Sequence, residues 1–412
     1  MASLEALVNV ADIREMVQTG MTHLDIAIHL QQIYPNTRGF SERSVRRYCR
    51  NQNITRITDD ELDGIVGDFI TRYGHGYGRS MMQGSIRAVI GATVGVVSQR
   101  RVSNSLRRLA PVEFEQRTRD LLERTNPIPY YAPYFGYKVH MDQNEKIGQS
   151  IGCTHVALID GCSRMIVGYA SMPIKNPILI YEFVFRPALL KYGLWNQLRV
   201  DHGQEFVLCL FVQDLLKSHR FCQDKAPWRQ TTSTENNTIE RFWPELNSRV
   251  NYPIKRAFNS IRENFDYDLA NPIMKFTFSW VTRYIAADAA DHLINSWNFH
   301  RVEGRNGCIP IENMRATKRT AQVIVPLIPT VSEAVRMYEE CGGNLTRNAE
   351  FGSDPLVFIE HAYESRIHLF SENQKSGEEL FSDIVHGEFQ TTKDAIDYFY
   401  NLTVSLADQF AD

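Results

Sequence analysis

Apolar and polar positions along this chain predict an alternating strand and helix pattern in its middle and helices on both sides. From Tyr137 to Asp142, Val139 and Met141 fall on one side while His140 and Asp142 fall on the other. That period of two predicts a strand with one buried face, ending at Asp142. Thr154 to Ile159 and Met165 to Ala170 predict a hairpin around the turn-forming run Asp160-Gly161-Cys162-Ser163. After Pro177, the residues Ile178, Ile180, Tyr181, Val184, Leu189 and Leu190 suit one helix face, which Gly193 can end. Gln197 to Asp201 predicts another strand with an aspartate at its carboxyl end, where open sheets present their chemistry. An amphipathic segment from Val207 to Leu216 and a polar loop from Gln230 to Asn237 follow. Ile239, Phe242, Trp243, Leu246 and Val250 then form a helical stripe, with Glu240 at its edge and free to face the strand ends.

The flanks read as helical. Residues 12–54 carry three apolar stripes separated near Gly20 and Pro35. The third begins at Ser41, a natural N-cap, and exposes Arg43, Arg46, Arg47 and Arg50, as a helix-turn-helix recognition helix would. A second unit over 59–109 echoes it: Ser98-Gln99-Arg100-Arg101-Val102 repeats the spacing of Ser41 to Val45, and Arg107 and Arg108 follow. The competing reading of either unit is a helical bundle with a solvated arginine face, but two copies ahead of the core favour DNA. A short helix from Glu113 to Thr125 and a Pro-rich connector ending at Pro133 lead into the core. Phe276, Trp280, Ile285, Leu293, Ile294 and Trp297 predict long helical faces, and Trp297-Asn298-Phe299-His300-Arg301 reads as a structural brace. Beyond Thr330, helical stretches at 331–340 and 392–406 alternate with a strand-like Pro355 to Ile359, an α+β tail.

Net charge changes the picture only when its distribution is followed. The total is −3, which by itself discourages nucleic-acid binding. Residues 331–412 hold 5 Lys and Arg against 16 Asp and Glu, so the rest of the chain is +8. Affinity for DNA follows local phosphate neutralisation, so a basic body beside an acidic tail can still bind. Seven cysteines without a C-x-x-C pair argue against a disulfide framework and a zinc ribbon, and no apolar run is long enough to span a membrane. A protein of the nucleus or cytoplasm is expected.

The candidate chemistry lies in three carboxylates. Asp142, Asp201 and Glu240, brought together from two strands and a helix, make an all-oxygen donor set suited to magnesium or manganese. Two such ions can activate an attacking water or hydroxyl and stabilise the leaving oxygen of an in-line phosphoryl displacement. Any one aspartate after a strand is more often a polar terminus; the ordered set is what points to ligands. Glu205 lies too near Asp201 along the chain to serve as the third member, and Glu235 precedes the helix. Asp160 reads as a turn former, and His140 and His202 as surface residues beside the strand ends. Asn144, Lys146 and Asn237 are candidate supporting or phosphate contacts. Lys225, Arg229, Arg241, Arg249, Lys255 and Arg256, with Trp228, form a candidate basic surface for a DNA end.

The order Asp142, Asp201, Glu240, with the last 39 positions after the second (240 − 201), resembles the D, D, E triad of the retroviral integrase and transposase superfamily. The closer resemblance is to eukaryotic, transposon-related proteins with an integrase core domain. Supporting runs are Asp142 to Lys146, Ile159 to Arg164, Arg199 to Glu205, Ser233 with Asn236 to Trp243, and Trp297 to Arg301, covering about residues 60–315. The resemblance implies an RNase H-like fold, a mixed five-stranded sheet flanked by helices. It also implies two Mg2+ (or Mn2+) ions held by Asp142, Asp201 and Glu240, DNA cleavage and strand transfer, and a homo-oligomer on DNA. Lys146, Asn237 and Arg241 join the arginines of both helical units as expected DNA contacts; no small-molecule substrate is expected. Pro244, four residues after Glu240, departs from a regular helix and predicts a kink there. The expected division is 1–55 and 56–110 (helix-turn-helix-like), 111–133 (linker), 134–257 (catalytic core), 258–330 (helical extension) and 331–412 (acidic region). The alternatives are a host-adapted DNA-binding or scaffold protein without turnover, and a nuclease that does not join strands.

Overall fold

The computed structural model describes residues 7–19, 21–35, 39–52, 54, 57–94, 97–121, 130–231, 236–302 and 307–410. The expectations placed on Gly20, on 122–129 of the short helix and connector, and on Ser233 and Glu235 lie outside these residues.

A five-stranded mixed sheet sits at the centre. Its strands are β1 (Val139–Ile147), β2 (Cys153–Asp160), β3 (Ile166–Met172), β4 (Leu198–Val200) and β5 (Trp228–Gln230), in the order β3-β2-β1-β4-β5. The first three pair antiparallel; β4 and β5 run parallel to β1. Alternation along the strands sorts side chains into two layers. Val139, Met141, Val156 and Leu158 pack on one face against Tyr181, Val184, Leu189 and Leu208. Ala157 and Ile159 pack on the other against Ile239, Phe242, Trp243 and residues of the Pro272–Phe299 helix.

Two expectations for β1 are corrected by this layering. The strand does not end at Asp142; it continues to Ile147, paired with β2 through Asp142↔Ala157 and Asn144↔His155. Cross-strand pairing outweighs the weak strand preference of Gln143 to Lys146. Nor is one face of β1 open: His140 and Asp142 are buried beneath the segment that follows Asn236. β5, within a stretch expected only as a loop boundary, is short and largely exposed, so it carries little apolar pattern to read.

Helical segments around the sheet follow their local chemistry. Residues 177–192 form one path in which a π turn, Tyr181–Phe185, links Pro177–Ile180 to Arg186–Tyr192. Gly193 ends it with φ +95°, where an added Cβ would lie 2.7 Å from the Ala321 carbonyl. After Asn236 the chain makes two short helical turns, Asn237–Glu240 and Trp243–Leu246, then a π turn and the Tyr252–Asn264 helix. The break falls at Arg241 and Phe242, and Pro244 stands in the first turn of the next piece, where its missing N–H costs nothing.

Helices Val10–Gln18, His23–Ile33 and Glu42–Asn51 enclose a small core of their own, centred on Ile13, Ile26, Leu30 and Val45. Thr22 and Asp25 form a capping box, and Ser41 accepts from the Ser44 N–H as its position predicted. Helices Asp59–Tyr73, Arg79–Val94 and Gln99–Leu109 behave differently: Leu62, Val66, Ile86 and Val102 merge with the core beneath the sheet. Gly84 permits this, since a Cβ there would sit 2.3 Å from the Ser296 carbonyl of the long helix.

The acidic region is helical, through Val331–Glu340, Glu360–Asn373, Gly377–His386 and Gln390–Gln409. The strand expected at Pro355 to Ile359 is absent; only Leu356 of that run is buried, and Phe358 is 96% exposed. Its apolar residues thus lack the sheet partner that a strand would need. Arg366, fully buried, instead ties this part of the chain together through a two-pronged ion pair with Asp354. All seven cysteines are free.

Candidate active site

Asp142 sits mid-strand in β1 and is only 6% exposed. The indole N–H of Trp243 donates to its Oδ2 at 2.7 Å. Earlier in the same segment, Asn236 donates through Nδ2 to the Met141 carbonyl at 3.3 Å and accepts at Oδ1 from His140 Nδ1 at 2.6 Å. The amide oxygen is acceptor only, so His140 carries its proton on Nδ1 and its Nε2 accepts from the Tyr130 hydroxyl at 2.7 Å. Burial pushes the His140 pKa down to about 3, so the ring is neutral. Asn236 and Trp243 therefore anchor their segment to three consecutive residues of β1. Glu240 lies between the two anchors and is half-buried.

Asp201 follows β4, the strand next to β1, and its Oδ1 accepts from the Gly203 N–H at 3.2 Å. Glu205 in the same loop is tied to β1 by a hydrogen bond from Gln143. Electrostatics link the three carboxylates. Burial pushes Asp142 up to about 7, against the opposing hydrogen bonds from Trp243 and the Gln143 N–H; the charges of Glu240 and Asp201 raise it further. Glu240 is raised as well, first by burial and then by Asp201. Like charges coupled in this way oppose one another's ionisation, and all their donor atoms are oxygens, the type a hard divalent cation takes. Among the described residues, however, no group of three or more His, Cys, Asp and Glu side chains is placed to hold a metal ion.

The other expected residues divide. Arg43, Arg46, Arg47 and Arg50 lie on the Glu42–Asn51 helix away from its buried face, with Arg46 paired to Glu42. Arg100 and Arg107 lie on the Gln99–Leu109 helix, Arg107 over the Phe114 ring at 5.1 Å. Arg101 binds Asp59 at 2.7 Å and Arg108 grips Asp63 with two bonds, so this pair joins two helices. Arg241 is exposed, and Lys146 points outward from β1; the Asn237 side chain lies outside the described residues.

Three sequence expectations are overturned. His140 is a buried anchor, as above. Asn144 is buried in a cluster with Asn247 and Asn251, which continues through His155 to Tyr169, so it faces no phosphate. Arg249 is no surface cation: it lies buried against Glu245 with its guanidinium 5.1 Å from the Tyr77 ring. Asp160 is a turn former, as expected, and fully buried: its carboxylate accepts from the N–H groups of Gly136, Cys162 and Ser163 and from the Trp195 indole. Asn298 braces β3 by bonding both the N–H and the C=O of Ile166.

The anchoring roles of Trp243, Asn236 and His140 escaped the sequence reading. The available signal was an indole within an apolar stripe, since a buried Trp N–H needs a partner. Lys138 and Arg199, which the sequence reading did not assign to it, join Lys225 and Arg229 of the expected basic surface. Arg199 of β4 stands between the neutral His140 of β1 and Arg229 of β5 in the strand register. Burial, then Arg199, Lys225 and Arg229, push Lys138 down to about 8.

The description "integrase core domain" belongs to the family model that matches residues 130–319. No curated protein matches the chain.

Proposed function

From the match of residues 130–319 to the integrase core domain model we propose that this chain is a metal-dependent polynucleotidyl transferase that cleaves DNA and joins strands. The observation that carries the reading is Asp142: a buried carboxyl whose pKa is raised by burial and by both Glu240 and Asp201. In this reading Asp142, Asp201 and Glu240 hold magnesium or manganese, two ions as the family resemblance implies. Bound there, the metal supplies Lewis acidity toward the phosphoryl oxygens and an acidified attacking water or hydroxyl.

The chain's own residues do the rest. Trp243 fixes the Oδ2 oxygen of Asp142, and the Asn236–His140 pair keeps the Glu240 segment in register with β1. Lys138, just ahead of β1, and Arg199 and Arg229, on β4 and β5, attract phosphate toward the carboxylates. The arginines of the Glu42–Asn51 helix add salt-dependent DNA affinity.

One observation favours a second reading. Among the described residues no three acidic, His or Cys side chains are placed to hold a metal ion, as expected of a host-adapted DNA-binding protein that keeps the fold without turnover. Purified protein with Mg2+ or Mn2+ and labelled duplex ends separates the two. Nicking or joining that Asp142→Asn abolishes supports the transferase; salt-sensitive binding without chemistry, unchanged in that variant, supports the binder. Loss of salt-dependent binding after Arg43, Arg46, Arg47 and Arg50 are changed to Glu identifies the N-terminal contribution.

A further inference from the structure

β3 is an edge strand, and along Tyr169 to Met172 it floors a groove of about 440 Å³. The groove straddles the edge. On one face Tyr169 and Ser171 stand beside Arg283 of the Pro272–Phe299 helix; on the other Ala170 and Met172 meet Leu179 and Phe183 of residues 177–192. Phe183 is 53% exposed. Asn298 takes up the N–H and C=O of Ile166, closing that end of the strand, and no strand pairs with the outer edge of the remainder among the described residues.

Arg283 is the unusual member. Its Nε is buried without a hydrogen-bond partner, and among the described residues it has no ion pair. Burial lowers its pKa, with only Cys153 and Tyr363 opposing. A guanidinium held this way beside an unpaired strand edge lacks one thing, an anion delivered in extended backbone.

We propose that the β3 edge groove binds an extended peptide of a partner protein as an added strand, placing an acidic side chain on Arg283 and apolar neighbours on Leu179 and Phe183. The alternation of side chains along a strand sets the pattern: an Asp or Glu on the Arg283 side, with apolar residues immediately before and after it. Charge complementarity selects the acid. The backbone edge selects an extended segment over a helix.

The test uses the full chain as bait for a phage-displayed library of random seven-residue peptides. Enriched peptides are expected to carry Asp or Glu flanked by Val, Ile or an aromatic residue. Their enrichment should vanish on Arg283→Gln and on Phe183→Asp, the second a change at an exposed position that leaves the fold intact. The best peptide should bind at least tenfold more tightly than its twin with Gln or Asn at the acid, and should slow amide exchange within Val167–Met172. Enrichment without an acid, equal affinity of the twins, or equal binding to Arg283→Gln would overturn the proposal. So would dimers of the chain that both substitutions disrupt while no peptide is selected, since the occupant would then be a second copy.

Discussion

Asp142→Asn tests the electrostatic reading of the site through stability alone, without any assay of chemistry. In the folded protein the Asp142 pKa rises from 3.8 to about 7, chiefly through burial. Between those values the fold keeps a proton that the unfolded chain releases. The contribution of Asp142 to stability is therefore full below about pH 4, falls as pH rises, and is gone by about pH 7. At about 1.4 kcal/mol per pH unit, the whole interval is worth on the order of 4 kcal/mol. Asp142 is 6% exposed, so solvent screening removes little of this. Urea unfolding in chelator at pH 5 and pH 8 samples about two of those units, so the natural chain should lose roughly 3 kcal/mol that Asp142→Asn keeps. His140 and His155, both buried and neutral with lowered pKa values, pull stability the other way in acid. They occur in both proteins and cancel in the difference. Adding Mn2+ at pH 8 should stabilise the natural chain more than the variant, because only the former offers three carboxylates. Parallel pH profiles for the two proteins, with equal response to Mn2+, would refute the shared electrostatic site.

Trp243→Phe removes the indole donor to Asp142; a hydrogen bond to a charged group is worth about 1.5–3 kcal/mol, so the Asp142 pKa should climb by roughly one to two units. The pH midpoint of Mn2+ uptake, followed by electron paramagnetic resonance, should move up with it, and an unmoved midpoint would count against the contact. Asn236→Ala leaves the His140 Nδ1–H buried without its acceptor and should cost about 1–3 kcal/mol in urea unfolding. Arg366→Met strands the buried Asp354 carboxylate, for an expected loss of about 3–5 kcal/mol; most of it should return in a double variant that also carries Asp354→Leu. Gly84→Ala drives a Cβ into the Ser296 carbonyl, and a lowered melting temperature, equivalent to about 1–3 kcal/mol, is expected.

The central strands, the hairpin, the helix ended by Gly193 and the caps at Thr22 and Ser41 were legible in the chain because each depends on local chemistry: side-chain period, turn residues, a cap within reach of its own N–H groups. The order of the three acidic residues was legible too, since it needs only their types and spacing. Tertiary structure decided what no local pattern encodes. Whether the even-numbered face of β1 meets solvent or a helix depends on a segment about a hundred residues away, and that cover turns His140 from a surface residue into an anchor and raises Asp142. The two N-terminal helical units meet the same limit in another form. Ser98 to Val102 resembles Ser41 to Val45, yet Val102 joins the large core while Val45 keeps a separate one. Burial is a sum over distant partners, and the same short motif acquires a different role when the surface opposite it changes.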